Sequence, residues 1–116
     1  MFNLALSPAY WWPVKVRTPA GGDAAGQLNE GEFEVEFNRL GEKAFAQFIR
    51  EITEKKLSDV QIVPRVLRNF RKVQDESGAS LPYSNDNLGT LLDVPGAATA
   101  IVAAFFESRS PAAEKN

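Results

Sequence analysis

Two stretches near the front of this chain alternate with a period of two and carry opposite charge. Val14-Lys15-Val16-Arg17 interleaves apolar and basic residues, and Glu32-Phe33-Glu34-Val35-Glu36-Phe37 interleaves acidic and apolar ones. Successive side chains on a strand point to opposite faces, so this period predicts two strands, each with one buried and one wet face. Val14, Val16, Phe33, Val35 and Phe37 form the predicted buried face. On the wet face, Lys15 and Arg17 are set to oppose Glu32, Glu34 and Glu36. Opposite charges across a strand pair contribute roughly 0.2–1 kcal/mol each, and like charges disfavour pairing of the acidic strand with itself. The pattern predicts a β-hairpin from Trp11–Pro19 and Glu32–Phe37. Pro13 and Pro19 cannot donate to a ladder, which puts the first strand at an edge. The glycine-rich segment 20–27 is too long for a two-residue turn and reads as a mobile loop. It is either an ordinary surface loop or a segment that orders on a partner.

Behind the hairpin the period becomes helical. Phe45, Phe48, Ile49 and Ile52 make one apolar stripe on a helix from Glu42 to about Lys56, with Glu42 in its first turn and Lys55 and Lys56 in its last, as the helix dipole favours. Ser58-Asp59 predicts the cap of a second helix through Val60, Val63, Leu67 and Phe70, with Pro64 near its first turn. Asp75 to Gly78 reads as a turn, and Leu81-Pro82-Tyr83 as an extended connector. Ser84 caps a short helix from Asp86 to Leu92. Pro95 suits the first turn of a last helix, which carries Ile101, Val102, Phe105 and Phe106 and stops at Ser110-Pro111. The expected fold is α+β, an N-terminal β-hairpin packed on a small bundle of about four helices. It forms a single domain over residues 1–110, followed by a flexible tail at 111–116.

Composition narrows the chemistry. A chain of 116 residues suits one domain. It has no histidine and no cysteine, which removes disulfide scaffolds, thiol catalysis, Cys/His zinc sites and the Ser-His-Asp triad. A net charge of -2 argues against nucleic acid as the main partner. No apolar run approaches the roughly 20 residues of a membrane span, and the first residues lack the basic start and long apolar stretch of a secretory signal. A cytosolic protein with no cofactor and no metal is expected.

Glu30, Glu32, Glu34 and Glu36 alternate along a strand; a metal or acid-base site there would need a pocket, and a solvated face balanced by the basic strand needs none. Asp75 to Gly78 is too short for a calcium loop, and no Gly-Lys-Ser/Thr follows Gly21, Gly22 or Gly26. Arg65, Arg68 and Arg71, three apart, line up along one side of the predicted second helix with Lys72 next to them. That run is a solvated face paired to Glu54, Asp59, Asp75 or Glu76, or a docking stripe for an acidic protein surface; a nucleic-acid contact is disfavoured by the overall charge and the lack of an exposed aromatic platform. Trp11 and Trp12 are adjacent, so on a strand they take opposite faces; one can join a core, while the other either joins a second small cluster under the loop or the N-terminus or is an exposed aromatic available to an interface. The candidate partner-binding residues are therefore Trp11, Trp12, Arg65, Arg68, Arg71 and Lys72, together with the hairpin loop.

The order of signals over residues 60–108 resembles the tail assembly chaperones of long-tailed bacteriophages and prophages. The features that carry the likeness are the Asp75–Gly78 turn, Leu81-Pro82-Tyr83-Ser84, Asn87-Leu88, Leu91-Leu92, Pro95-Gly96, Ala100-Ile101 and Ala104-Phe105-Phe106-Glu107. Such proteins often have a Trp-Gly-like piece before the turn, where this chain has Asn69-Phe70-Arg71-Lys72-Val73. The resemblance implies a non-enzymatic protein in the host bacterial cytoplasm. It would keep the tape measure protein soluble and help recruit tail tube subunits, with self-association open. The alternative is a structural minor tail component retained in the virion. In this family a longer form is often made by a programmed frameshift, and Glu114-Lys115-Asn116 is compatible with A-rich slippery codons.

Overall fold

The computed structural model describes residues 1–110. Ala9–Pro19 (β1) and Leu28–Asn38 (β2) pair antiparallel, with Val14 opposite Phe33, Lys15 opposite Glu32 and Arg17 opposite Glu30. Both strands extend beyond the alternating stretches. The charge match holds for Lys15 and Arg17, but Glu34 and Glu36 oppose Pro13 and Trp11 instead of basic residues.

Helix α1 (Glu42–Lys55) begins after Gly41 and ends where Lys56 takes the left-handed conformation. Phe48 is its buried residue, Phe45 and Ile52 pack at the margin of the core, and Ile49 is exposed. Helix α2 (Asp59–Val66) starts with a full capping box, in which the Ser58 side chain accepts from the Gln61 N–H and Gln61 Oε1 accepts from the Ser58 N–H at 2.9 Å.

The second helix does not reach Phe70. It ends at Val66, and Leu67–Arg71 form a third strand, β3, antiparallel to β2 in the order β1-β2-β3. Two local causes account for this. Pro64 lies well inside α2, past its first turn, where it removes one helical hydrogen bond and clashes with the preceding turn. A register shift between Glu36 and Phe37 then lets Leu67 pair with Phe37 and Asn69 with Glu36, which leaves Arg68 as an extra residue. A bulge of this kind puts Leu67 and Phe70, three apart, on the same buried side of a strand. That spacing imitates a helix.

Asp75 closes the next turn by accepting from the Ser77 and Ala79 N–H groups at 2.9 and 3.0 Å, with Gly78 at φ 86° supplying the left-handed residue. Helix α3 (Asn85–Leu92) is capped by Ser84, whose Oγ accepts from the Asn87 N–H at 3.0 Å. Helix α4 spans Ala97–Ser108. Pro95 lies ahead of this helix rather than in its first turn, because Gly96 at φ 85° is the N-cap. The α+β expectation and the four helices stand, with a three-stranded sheet in place of a two-stranded hairpin. The tail at 111–116 and the Glu114–Asn116 signal lie outside the described residues.

The core forms where one face of the sheet meets the helices. Val35, Phe37, Ile101 and Phe105 are fully buried. The Phe105 ring meets Phe37 edge-on at 5.1 Å and Phe48 at 5.8 Å, the edge-to-face packing that aromatic quadrupoles favour. Phe106 packs at the edge of this cluster, and Phe70 meets Tyr83 at 5.4 Å on the far side. Polar groups at the end of α4 are satisfied. Tyr10 Oη lies 2.7 Å from Ser108 Oγ, which also bonds the Phe105 carbonyl at 2.6 Å. The Arg109 guanidinium donates to the Leu40 carbonyl at 2.7 Å and stacks 3.9 Å over the Phe45 ring, fastening α4 to the start of α1.

Candidate functional site

Of the six candidate partner-binding residues, the other face of the sheet carries Trp11 and Arg71, and Lys72 reaches it from just past β3. Alternation puts Trp11, Lys15 and Arg17 of β1, Glu30, Glu32, Glu34 and Glu36 of β2, and Asn69 and Arg71 of β3 on that face. All of them are exposed or half-exposed. Trp11 and Trp12 take opposite faces, as adjacency on a strand requires. Trp12 packs against the core beside Tyr10, with ring centroids 6.5 Å apart. Trp11 lies on the open face, with the Arg71 guanidinium 3.9 Å from its ring centroid.

Glu34 is the centre of this cluster. It accepts from Arg71 Nε at 2.6 Å and from Lys72 Nζ at 3.1 Å. These two hydrogen bonds, Arg71's first and then Lys72's, hold its carboxyl below the ordinary glutamate value. Lys72 reaches Glu34 because its backbone is left-handed, φ 65°, an unusual conformation for a residue with a side chain. That residue also turns the chain out of β3 after Arg71. The result is a tryptophan, an arginine stacked on it, and a carboxylate bridging two cations across β1, β2 and β3. Nothing in the local sequence pairs Glu34 with Arg71, 37 positions away.

The basic stripe does not exist as one surface. Arg65 lies in the last turn of α2 and pairs with Glu51 of α1 while donating to the Gln61 carbonyl at 2.7 Å. Arg68 sits in the bulge and donates from Nε to Asn38 Oδ1 at 2.8 Å. Arg71 and Lys72 belong to the Glu34 cluster. The ion-pair partners are therefore Glu51 and Glu34, and not Glu54, Asp59, Asp75 or Glu76. A helix would have put the three arginines on one side, but the change to a bulged strand separates them.

Glu51 is held below its ordinary value by Arg65 first and Lys55 second, and Asp75 by the Ser77 hydroxyl and the Ala79 N–H. These three carboxylates are thus kept charged, as salt-bridging or turn-closing groups are, whereas a general acid needs the opposite shift. Among the described residues no three carboxylates converge on a metal-sized site. No single described helix is long and apolar enough to cross a membrane, and α3 and α4 are bent 102° from one another. The open face can offer charge-assisted hydrogen bonds, a stacked aromatic and unpaired acidic side chains to another protein. No family model, curated protein or solved structure matches this chain.

Proposed function

We propose that this protein is a non-catalytic tail assembly chaperone of a long-tailed phage or prophage. It would bind the tape measure protein and help recruit tail tube subunits in the host cytoplasm. The observation that carries this reading is the ordered pattern of residues 60–108, from the Asp75 turn through the Ser84 cap and the leucine pair to Ala104-Phe105-Phe106-Glu107. The geometry supports it in one respect. The residues of that pattern are used as caps and core, with Ser84 capping α3 and Leu88, Leu91, Ile101 and Phe105 buried. They build a scaffold, which leaves binding to the surface.

Binding of this kind must be reversible. The open sheet face suits it, since exposed ion pairs and a single stacked tryptophan give specificity and fast encounter rather than permanent burial. The test is co-expression with the tape measure protein encoded nearby, scored by the soluble fraction of that long partner and by mass spectrometry of purified virions. A chaperone raises the partner's solubility and is absent from virions. If solubility does not change and the protein appears in virions, the minor tail component reading replaces this one.

A further inference from the structure

Strand β2 is acidic and lies between two strands that carry basic residues. On its β1 side, Glu32 faces Lys15, and Glu30 is salt-bridged to Arg17 at 3.0 Å. On its β3 side, Glu34 is held by Arg71 and Lys72. Yet β3 covers only Glu34–Phe37, because the left-handed Lys72 turns the chain away. Among the described residues, no strand pairs with Leu28–Phe33 on that side, and no turn or loop backbone bond reaches them. Leu28, Glu30, Gly31 and Glu32 are exposed along this edge. Buried sheet edges are paired and exposed ones are normally blunted, so an open six-residue edge beside a hollow is a template for another strand.

The surroundings define what would fit. On the inner side of the open edge is a mainly apolar hollow of about 270 Å³, walled in part by Val16, Phe33 and Ala97, with Glu32, Gln74 and the Glu34-paired Lys72 also lining it. It shares Val73, Leu91 and Val94 with a trough of about 740 Å³, whose wall includes Asp75, Glu76 and Asp93 and no basic residue. A strand laid on this edge sends alternate side chains to the two faces. One set enters the apolar hollow and the other meets Glu30 and Glu32. The β2 edge of a second copy would set glutamates against glutamates, which is destabilising.

We propose that the open edge of β2, from Leu28 to Phe33, binds an extended segment of another protein that alternates aliphatic and basic residues. The segment adds to the sheet as a strand in line with β3. Its aliphatic side chains occupy the hollow, and its lysines or arginines meet Glu30 and Glu32. Strand β1, with Val14-Lys15-Val16-Arg17, already fills the opposite side of β2 with this same pattern. The inference goes beyond the tail-assembly reading and stands or falls without it, since the probe contains no phage sequence.

The experiment titrates a capped, fluorescein-labelled Val-Lys-Val-Lys-Val-Lys-Val peptide into the full chain and follows anisotropy. Saturable binding is expected, weakened several-fold by added salt and at least about tenfold in Glu32→Lys, whose melting temperature should fall only slightly, since it sets a lysine opposite Lys15 on an exposed face. A copy of the peptide N-methylated at every residue keeps its charge and has no N–H left to donate to the strand edge, and should not bind. Three results overturn the proposal. One is no binding, or equal binding by Glu32→Lys. Another is equal binding of the N-methylated peptide, which reduces the effect to charge attraction. The third is self-association of the unliganded chain that Glu32→Lys dissolves, which makes a second copy the occupant.

Discussion

Along β2, Phe33, Val35 and Phe37 turn toward the helices, while Glu32, Glu34 and Glu36, in the same strand, turn away. The inner face is held by burial and edge-to-face aromatic contacts around Phe105. The outer face is held by hydrogen-bonded ion pairs around Glu34, in water. Burial of apolar area is a large and unscreened contribution, whereas exposed ion pairs contribute little and weaken with salt. One face therefore sets whether the chain folds. The other is free to vary its contacts at small cost, which is what a reversible binding surface requires.

The largest test of this contrast is Phe105→Ala. Removing a fully buried ring that touches Phe37 and Phe48 should lower unfolding free energy by about 3–5 kcal/mol, read by urea denaturation. The two tryptophans give a sharper comparison, being neighbours in sequence on opposite faces. Trp12→Ala should destabilise clearly more than Trp11→Ala, because only Trp12 packs against the core. Equal losses from the two would break the contrast. Arg71→Ala removes a stacked guanidinium from the open face and should cost about 0.5–1 kcal/mol, measured by thermal unfolding. A loss approaching that of Phe105→Ala would mean that the open face also carries the fold.

The smallest expected effect is in pH dependence. Glu34, Glu51 and Asp75 are all lowered from their ordinary values of 4.5, 4.5 and 3.8. A carboxylate lowered by folding contributes stability that is complete above its ordinary value and is lost as pH falls through the lowered one. Melting temperature should therefore be flat near neutrality and begin to fall as pH drops below the ordinary carboxylate range. Glu34→Gln should lower the neutral melting temperature slightly and converge on the parent as pH falls, because the protonated carboxyl has lost the same contribution, so the slope is shallower. A slope unaltered in Glu34→Gln would show that Arg71 and Lys72 do not hold that carboxylate in solution.

The hairpin was legible because a strand's period and its charge are both local properties. Ser84 and Ser58 were legible for the same reason, since a cap bonds within three residues of itself. The third strand was not legible, because the bulge at Arg68 gave Leu67 and Phe70 a helical spacing. The proline signals were half-informative. Pro64 sits deeper in α2 than its chemistry favours, and the cap before α4 is Gly96, not a position shifted by Pro95. The candidate surface suffered most from this. Their spacing aligns Arg65, Arg68 and Arg71 as one stripe, and the structure sends them to Glu51, Asn38 and Glu34.

By itself the sequence determined the α+β class, the opposed charges of β1 and β2, the edge position of β1 and the Ser58 and Ser84 caps of α2 and α3. All of these rest on interactions between residues close along the chain or on the period of a single segment. Only the tertiary structure decided that Glu34, and not a basic helix, is the centre of the open face, and that β2 keeps an unpaired edge beside a hollow. Both depend on where β3 docks and where Lys72 turns it away. That docking is set by burial of Leu67 and Phe70 against distant partners, which no local spacing encodes.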